Sequence, residues 1–74
     1  MNAIYTFSFK NKGKSHTKRV LAPSYKDAIE KACLILEDIN DEIDLLGLDD
    51  WESVQSECMN YDIYVSNLTE DDDE

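Results

Sequence analysis

Between Ser24 and Leu46, apolar side chains recur at alternating steps of four and three: Tyr25, Ile29, Ala32, Leu36, Ile39, Ile43 and Leu46. That spacing repeats along one side of an α-helix, and Ala28, Cys33 and Ile35 widen the stripe enough to cover a sheet. The start is marked by Ser24, a good N-cap, and by Asp27 three residues on, which suits the positive end of the helix. Gly47 is placed to stop it, as a residue that accepts positive φ. Asn40-Asp41 are weak helix formers, yet the apolar spacing passes through them unshifted, so one long helix with a bend is expected.

Strand signals flank this segment. From Ala3 to Lys10, Tyr5, Phe7 and Phe9 alternate with Thr6, Ser8 and Lys10, which predicts a strand with its aromatic side buried. Asn11-Lys12-Gly13 is a turn signal, read as a short hairpin with a bulge at Gly13. Ser15 to Ala22 returns as a second strand with Val20 and Ala22 inward, and Pro23 ends it. After the helix, Asp49-Asp50-Trp51-Glu52 marks a single turn or a short second helix near residues 49–55, with Trp51 plugging the open end of the core. Glu57 to Asn67 reads as the third strand, with Met59, Tyr61, Ile63 and Val65 inward. The expected architecture is α+β: a three-stranded antiparallel sheet in the order ββαβ, with one face covered by the long helix. Residues 1–68 form a single domain, and 69–74 an acidic tail without structure.

A chain of 74 residues is close to the lower limit for a self-sufficient core. Its stability margin is expected to be small, and a homodimer interface would supplement it. The outer sheet face, with Ile4 and Tyr64, is a modest candidate. Cys33 and Cys58 lack any CxxC or clustered histidine, which favours two reduced core thiols over a disulfide. No apolar run reaches the roughly 20 residues of a membrane span, so the expected location is the cytoplasm.

Charge is distributed unevenly. All seven lysines and arginines lie in the first 31 positions beside only Asp27 and Glu30; fifteen acids and no base follow from Ala32 onward. Glu37, Asp38, Asp41, Glu42 and Asp44 place five carboxylates within eight residues. On a helix they would span about 12 Å, one charge per roughly 2.4 Å, against about one per 1.7 Å of duplex DNA axis. Asp49, Asp50 and Glu52 extend the run. An acidic face also keeps a small protein soluble, but soluble faces mix signs, and helix stability alone would favour Glu–Lys pairs at four-residue spacing. These eight residues are therefore the expected contacts to a basic partner.

Other chemistry is poorly supported. His16 has no carboxylate beside it in sequence to orient it as a general base. Asp41 to Glu52 has the length of an EF-hand loop, but its third and fifth places are Ile43 and Leu45, and Gly47 comes one place late. No catalytic residue, metal site or cofactor is expected. The basic hairpin (Lys10, Lys12, Lys14, Lys18, Arg19) beside so many acids reads as internal charge balance or a second partner contact, with no direct nucleic-acid binding.

Two resemblances attach to these residues. The hairpin followed by Val20 to Ala32, VLAPSYKDAIEKA, looks like the strand-to-helix junction of small phage and plasmid domains of the DpnD/PcfM type, which share the strand–strand–helix–strand order. In size, charge and layout the chain is similar to small acidic phage-encoded inhibitors of host defence, such as anti-CRISPR and anti-restriction DNA mimics. That likeness implies a non-enzymatic inhibitor whose acidic face blocks a basic nucleic-acid-binding surface. An interaction adaptor or regulatory subunit using sheet aromatics and Trp51 is the alternative.

Overall fold

The computed structural model describes residues 2–71. Strands β1 (Ala3–Asn11) and β2 (Lys14–Ala22) form a hairpin, paired from Ala3↔Ala22 to Asn11↔Lys14. Its loop is the two residues Lys12 and Gly13, both at positive φ (55° and 80°), as a type I′ turn requires. No bulge is needed there, because the two positive-φ residues already match the strand twist. Tyr5, Phe7 and Phe9 are buried as their alternation predicts, and Val20 and Ala22 join them.

Helix α1 (Tyr25–Ile39) begins where expected: the extended N-cap Ser24 accepts the Asp27 N–H at 3.3 Å, and its hydroxyl approaches the Asp27 carboxylate. Ala28, Ile29, Ala32, Cys33 and Leu36 are buried against the sheet. Tyr25, expected in the same stripe, lies at its margin, half-exposed and packed edge-on to Tyr5. The Lys31 ammonium reaches back to the Leu21 carbonyl and ties the helix to β2.

The helix ends at Ile39 and does not run on to Leu46. Asn40 turns extended, and its side-chain oxygen accepts the Glu42 N–H at 2.9 Å while its carbonyl accepts the Ile43 N–H at 3.0 Å. Asn at this place offers the backbone an alternative to the next helical turn. The last turn also carries Glu37 and Asp38 and no base, which opposes the helix dipole. Packing favours the break as well. Leu45 lies nine residues after Leu36, about half a turn out of phase at 3.6 residues per turn, so one continuous helix would leave it facing water. With the helix broken, Ile43 and Leu45 are both buried. Gly47, at φ +89°, belongs to a turn in which the Leu48 N–H meets the Leu45 carbonyl, and is not a helix cap.

A second helix, α2 (Trp51–Met59), is capped by Asp50 and buries Trp51, Val54 and Cys58. Those three are spaced as one helical stripe, so Glu57 to Met59 close a helix instead of opening a strand, and Met59 is exposed rather than inward. The chain turns at Asp62 (φ 62°) into β3 (Ile63–Val65), which pairs with β1 at Phe9 to Asn11. A further strand, β4 (Thr69–Asp71), pairs with β1 at Ile4 to Thr6. The sheet order is β2-β1-β3, with β4 on the same edge of β1 as β3.

The expected boundary at residue 68 therefore leaves β4 outside the domain it belongs to. Thr69 to Asp71 are strand, because main-chain pairing needs no apolar side chain; Asp72 to Glu74, in the expected tail, lie outside the described residues.

Between β3 and β4 the register slips by one. Two residues of β1, Phe7 and Ser8, face three on the partner, Ser66 to Leu68. This is a β-bulge, and it returns Leu68 to the buried face. Helix α2 satisfies the interrupted ladder. The Trp51 indole N–H donates to the Ser66 carbonyl at 2.7 Å, and the Gln55 amide donates to the Val65 carbonyl at 2.9 Å. The Ser66 hydroxyl accepts the Ser8 N–H at 2.9 Å, in place of its own redirected carbonyl. Trp51 also packs edge-on against Phe7, with ring centroids 5.4 Å apart. Both helices lie on the Tyr5/Phe7/Phe9 face, while Leu21 and Tyr64 stand exposed on the other.

Candidate functional site: an acidic loop and the groove beside it

The eight carboxylates singled out in the sequence do not share a helix. Glu37 and Asp38 end α1; Asp41, Glu42, Asp44 and Asp49 lie in the connection between helices; Asp50 caps α2 and Glu52 sits in its first turn. The one-charge-per-2.4 Å density therefore does not hold, since it assumed helical rise throughout.

Three of the eight have local structural work. Glu37 is half-buried, and its Oε2 accepts the Leu45 N–H at 2.8 Å, eight residues on. Asp44 accepts the Leu46 N–H at 3.1 Å. Asp50 takes the Ser53 N–H at 3.2 Å and the Ser53 hydroxyl at 2.8 Å. The other five, Asp38, Asp41, Glu42, Asp49 and Glu52, are exposed, and none of their carboxylates is held by a hydrogen bond from the described residues. Their charge is directed at solvent.

The loop that carries them is well anchored. Besides the Glu37 and Asp44 bonds, the Tyr61 hydroxyl donates to the Glu42 carbonyl at 3.1 Å, and Ile43 and Leu45 are inserted into the core. Within this anchored turn Leu45 is 1% exposed and its neighbour Leu46 is 89% exposed. Leu34, on α1, is 67% exposed. These two leucines line a groove of about 570 Å³ between α1 and the Leu45–Asp49 turn. Sequence reasoning missed it: Leu46 was assigned to the buried stripe, and only the out-of-phase Leu45 signalled that both could not be inside one helix.

Cys33 and Cys58 are free and buried. Burial pushes both thiols up to about 11; Glu37 and Glu30 add to this at Cys33, and Cys33 and Glu57 add at Cys58. Such thiols stay protonated and unreactive at neutral pH. His16 is exposed and stacks on Phe9 with centroids 5.1 Å apart. Among the described residues no three His, Cys, Asp or Glu side chains are grouped so as to hold a metal ion, and no helix is long and apolar enough to cross a membrane.

Comparison with protein-family models, with curated proteins and with solved structures finds no match to this chain.

Proposed function

We propose that this protein is a non-enzymatic inhibitor, encoded by a phage or mobile element, whose acidic surface occupies a basic nucleic-acid-binding surface of a host defence complex. Inhibition of a CRISPR effector is the sharpest form of this reading. The observation that carries it is the set of five exposed carboxylates, Asp38, Asp41, Glu42, Asp49 and Glu52, on an anchored loop and its flanking helix ends. No lysine or arginine follows Lys31, so nothing in this half of the chain neutralises them. Lysine and arginine side chains that otherwise hold phosphate are the natural counterparts of such a surface. Association driven by it is fast and falls with salt. The cytoplasm of the host is where such a target resides.

The test is charge reversal at positions that cap nothing. Asp38, Asp41, Asp49 and Glu52 are exchanged together for lysine, and the partner is captured from host lysate. Loss of the partner with unchanged thermal stability is expected; full retention would refute the reading. A second reading, an adaptor without mimicry, is favoured by one observation, the exposed pair Leu34 and Leu46. In that case capture survives charge reversal and is lost on changing the leucines.

A further inference from the structure

We propose that the groove between α1 and the Leu45–Asp49 turn is a docking site for a basic amphipathic segment of a partner protein, with an apolar side chain of that segment seated between Leu34 and Leu46. The inference rests on the acidic-surface reading and specifies it: carboxylates select the partner, and two leucines anchor it.

Three observations point to that occupant. The first is the anchored exposure of Leu46. An apolar side chain that is 89% exposed gains nothing for the isolated fold, yet it is held at a turn fixed by Asp44, Glu37 and the Leu45–Leu48 bond. The second is shape. Lys26, Glu30, Leu34 and Glu37 run along one side of α1 and line the groove's long wall, with buried Cys33 and Leu45 at its floor. Eleven residues of helical rise make that wall about 16 Å long, room for roughly three turns of a second helix. The third is charge. Glu30, Glu37 and Asp49 line the groove against the single lining base Lys26 on its α1 wall, and Asp38 and Asp50 are the chain neighbours of Glu37 and Asp49. An apolar stripe flanked by lysine or arginine satisfies floor and walls together, as in helix-in-groove recognition. A purely apolar segment would leave the acids unpaired and desolvated; a purely basic one would leave the leucines in water.

The experiment uses three synthetic twelve-residue peptides as probes. One has leucine at helical spacing with lysine elsewhere; the second has serine in place of each leucine; the third has glutamate in place of each lysine. Each is titrated into the ¹⁵N-labelled full chain. The Lys/Leu peptide is expected to shift the amides of Leu34 and of residues 45–49 and to bind at least tenfold more tightly than the Lys/Ser peptide. The Glu/Leu peptide is expected not to bind. Leu46→Ser and Leu34→Ser, both at exposed positions, should each weaken Lys/Leu binding at least tenfold and change Lys/Ser binding less than twofold. Equal affinity for the Lys/Leu and Lys/Ser peptides, or shifts mapping elsewhere, would overturn the groove and leave the acidic-surface reading standing. Failure of both lysine peptides would remove both. Sedimentation of the free protein decides the remaining occupant: a dimer that becomes monomeric on Leu46→Ser assigns the groove to a second copy of this chain and overturns the proposal.

Discussion

Removing the Glu37 carboxylate should loosen the acidic loop by an amount that can be set in advance. Its Oε2 accepts the Leu45 N–H at 2.8 Å from a half-buried position. A hydrogen bond to a charged group contributes about 1.5–3 kcal/mol, and an amide left without its partner keeps the cost of desolvation. Against this, Glu37 lies in the last turn of α1, where a negative charge opposes the dipole by about 0.3–1 kcal/mol. The net expected cost of Glu37→Ala is therefore about 1–2 kcal/mol. For a domain of this size each kcal/mol lowers the melting temperature by about 4–8 °C. Glu37→Gln retains an acceptor oxygen but loses the charge, both favourable and unfavourable, and should fall between Ala and wild type. Asp38→Asn supplies the control. It removes a charge from the same helix end without a bond to lose, so stability should hold or rise by a few tenths of a kcal/mol. Amide hydrogen exchange locates the effect: Leu45 should exchange about five- to thirtyfold faster in Glu37→Ala, at about 1.4 kcal/mol per decade. Unchanged protection at Leu45 together with an unchanged melting temperature would refute the argument that this carboxylate holds the loop.

Trp51→Phe keeps the ring against Phe7 but removes the donor to the Ser66 carbonyl, and should cost about 1–3 kcal/mol in a melting experiment; a neutral result would mean that water satisfies the bulge equally well. Leu36→Ala, at a fully buried position, should cost about 2–5 kcal/mol, a large share of the stability of a domain this small. Both thiols have pKa values raised to about 11 in the folded state from 9.0, so the fold binds more protons than the unfolded chain between those values. Their stabilising contribution is complete below pH 9 and is lost as pH rises toward 11; Cys33→Ala/Cys58→Ala should flatten that alkaline limb of the denaturant-unfolding profile.

The parts of the fold written in local chemistry were legible in the sequence. Alternating aromatics set β1, Ser24 set the start of α1, and the Asp49–Glu52 stretch rightly marked the start of a second helix. The end of α1 was not legible from periodicity, because Ile43 and Leu46 happen to continue the helical spacing; what overrode it was the Asn40 turn and the need to bury Leu45. The helical stripe Trp51, Val54, Cys58 competes with an alternating reading of Met59, Tyr61 and Ile63, and tertiary packing chose the helix. β4 was missed because Thr69 to Asp71 are held by β1's free edge, a main-chain interaction invisible to hydropathy. At the candidate site, composition identified the acidic stretch, but not that Glu37, Asp44 and Asp50 serve the backbone while five others face solvent. The groove depends on which of two adjacent leucines turns inward, and only the assembled core decides that.

The central claim is tested most directly by competition between nucleic acid and the protein for its partner. The wild-type chain is immobilised, the partner captured from host lysate, and duplex or single-stranded nucleic acid titrated over the complex at fixed salt. The account predicts that nucleic acid displaces the partner, that the midpoint tracks the partner's own affinity for nucleic acid, and that the Asp38/Asp41/Asp49/Glu52 reversal abolishes capture. A partner retained undiminished in saturating nucleic acid would contradict it.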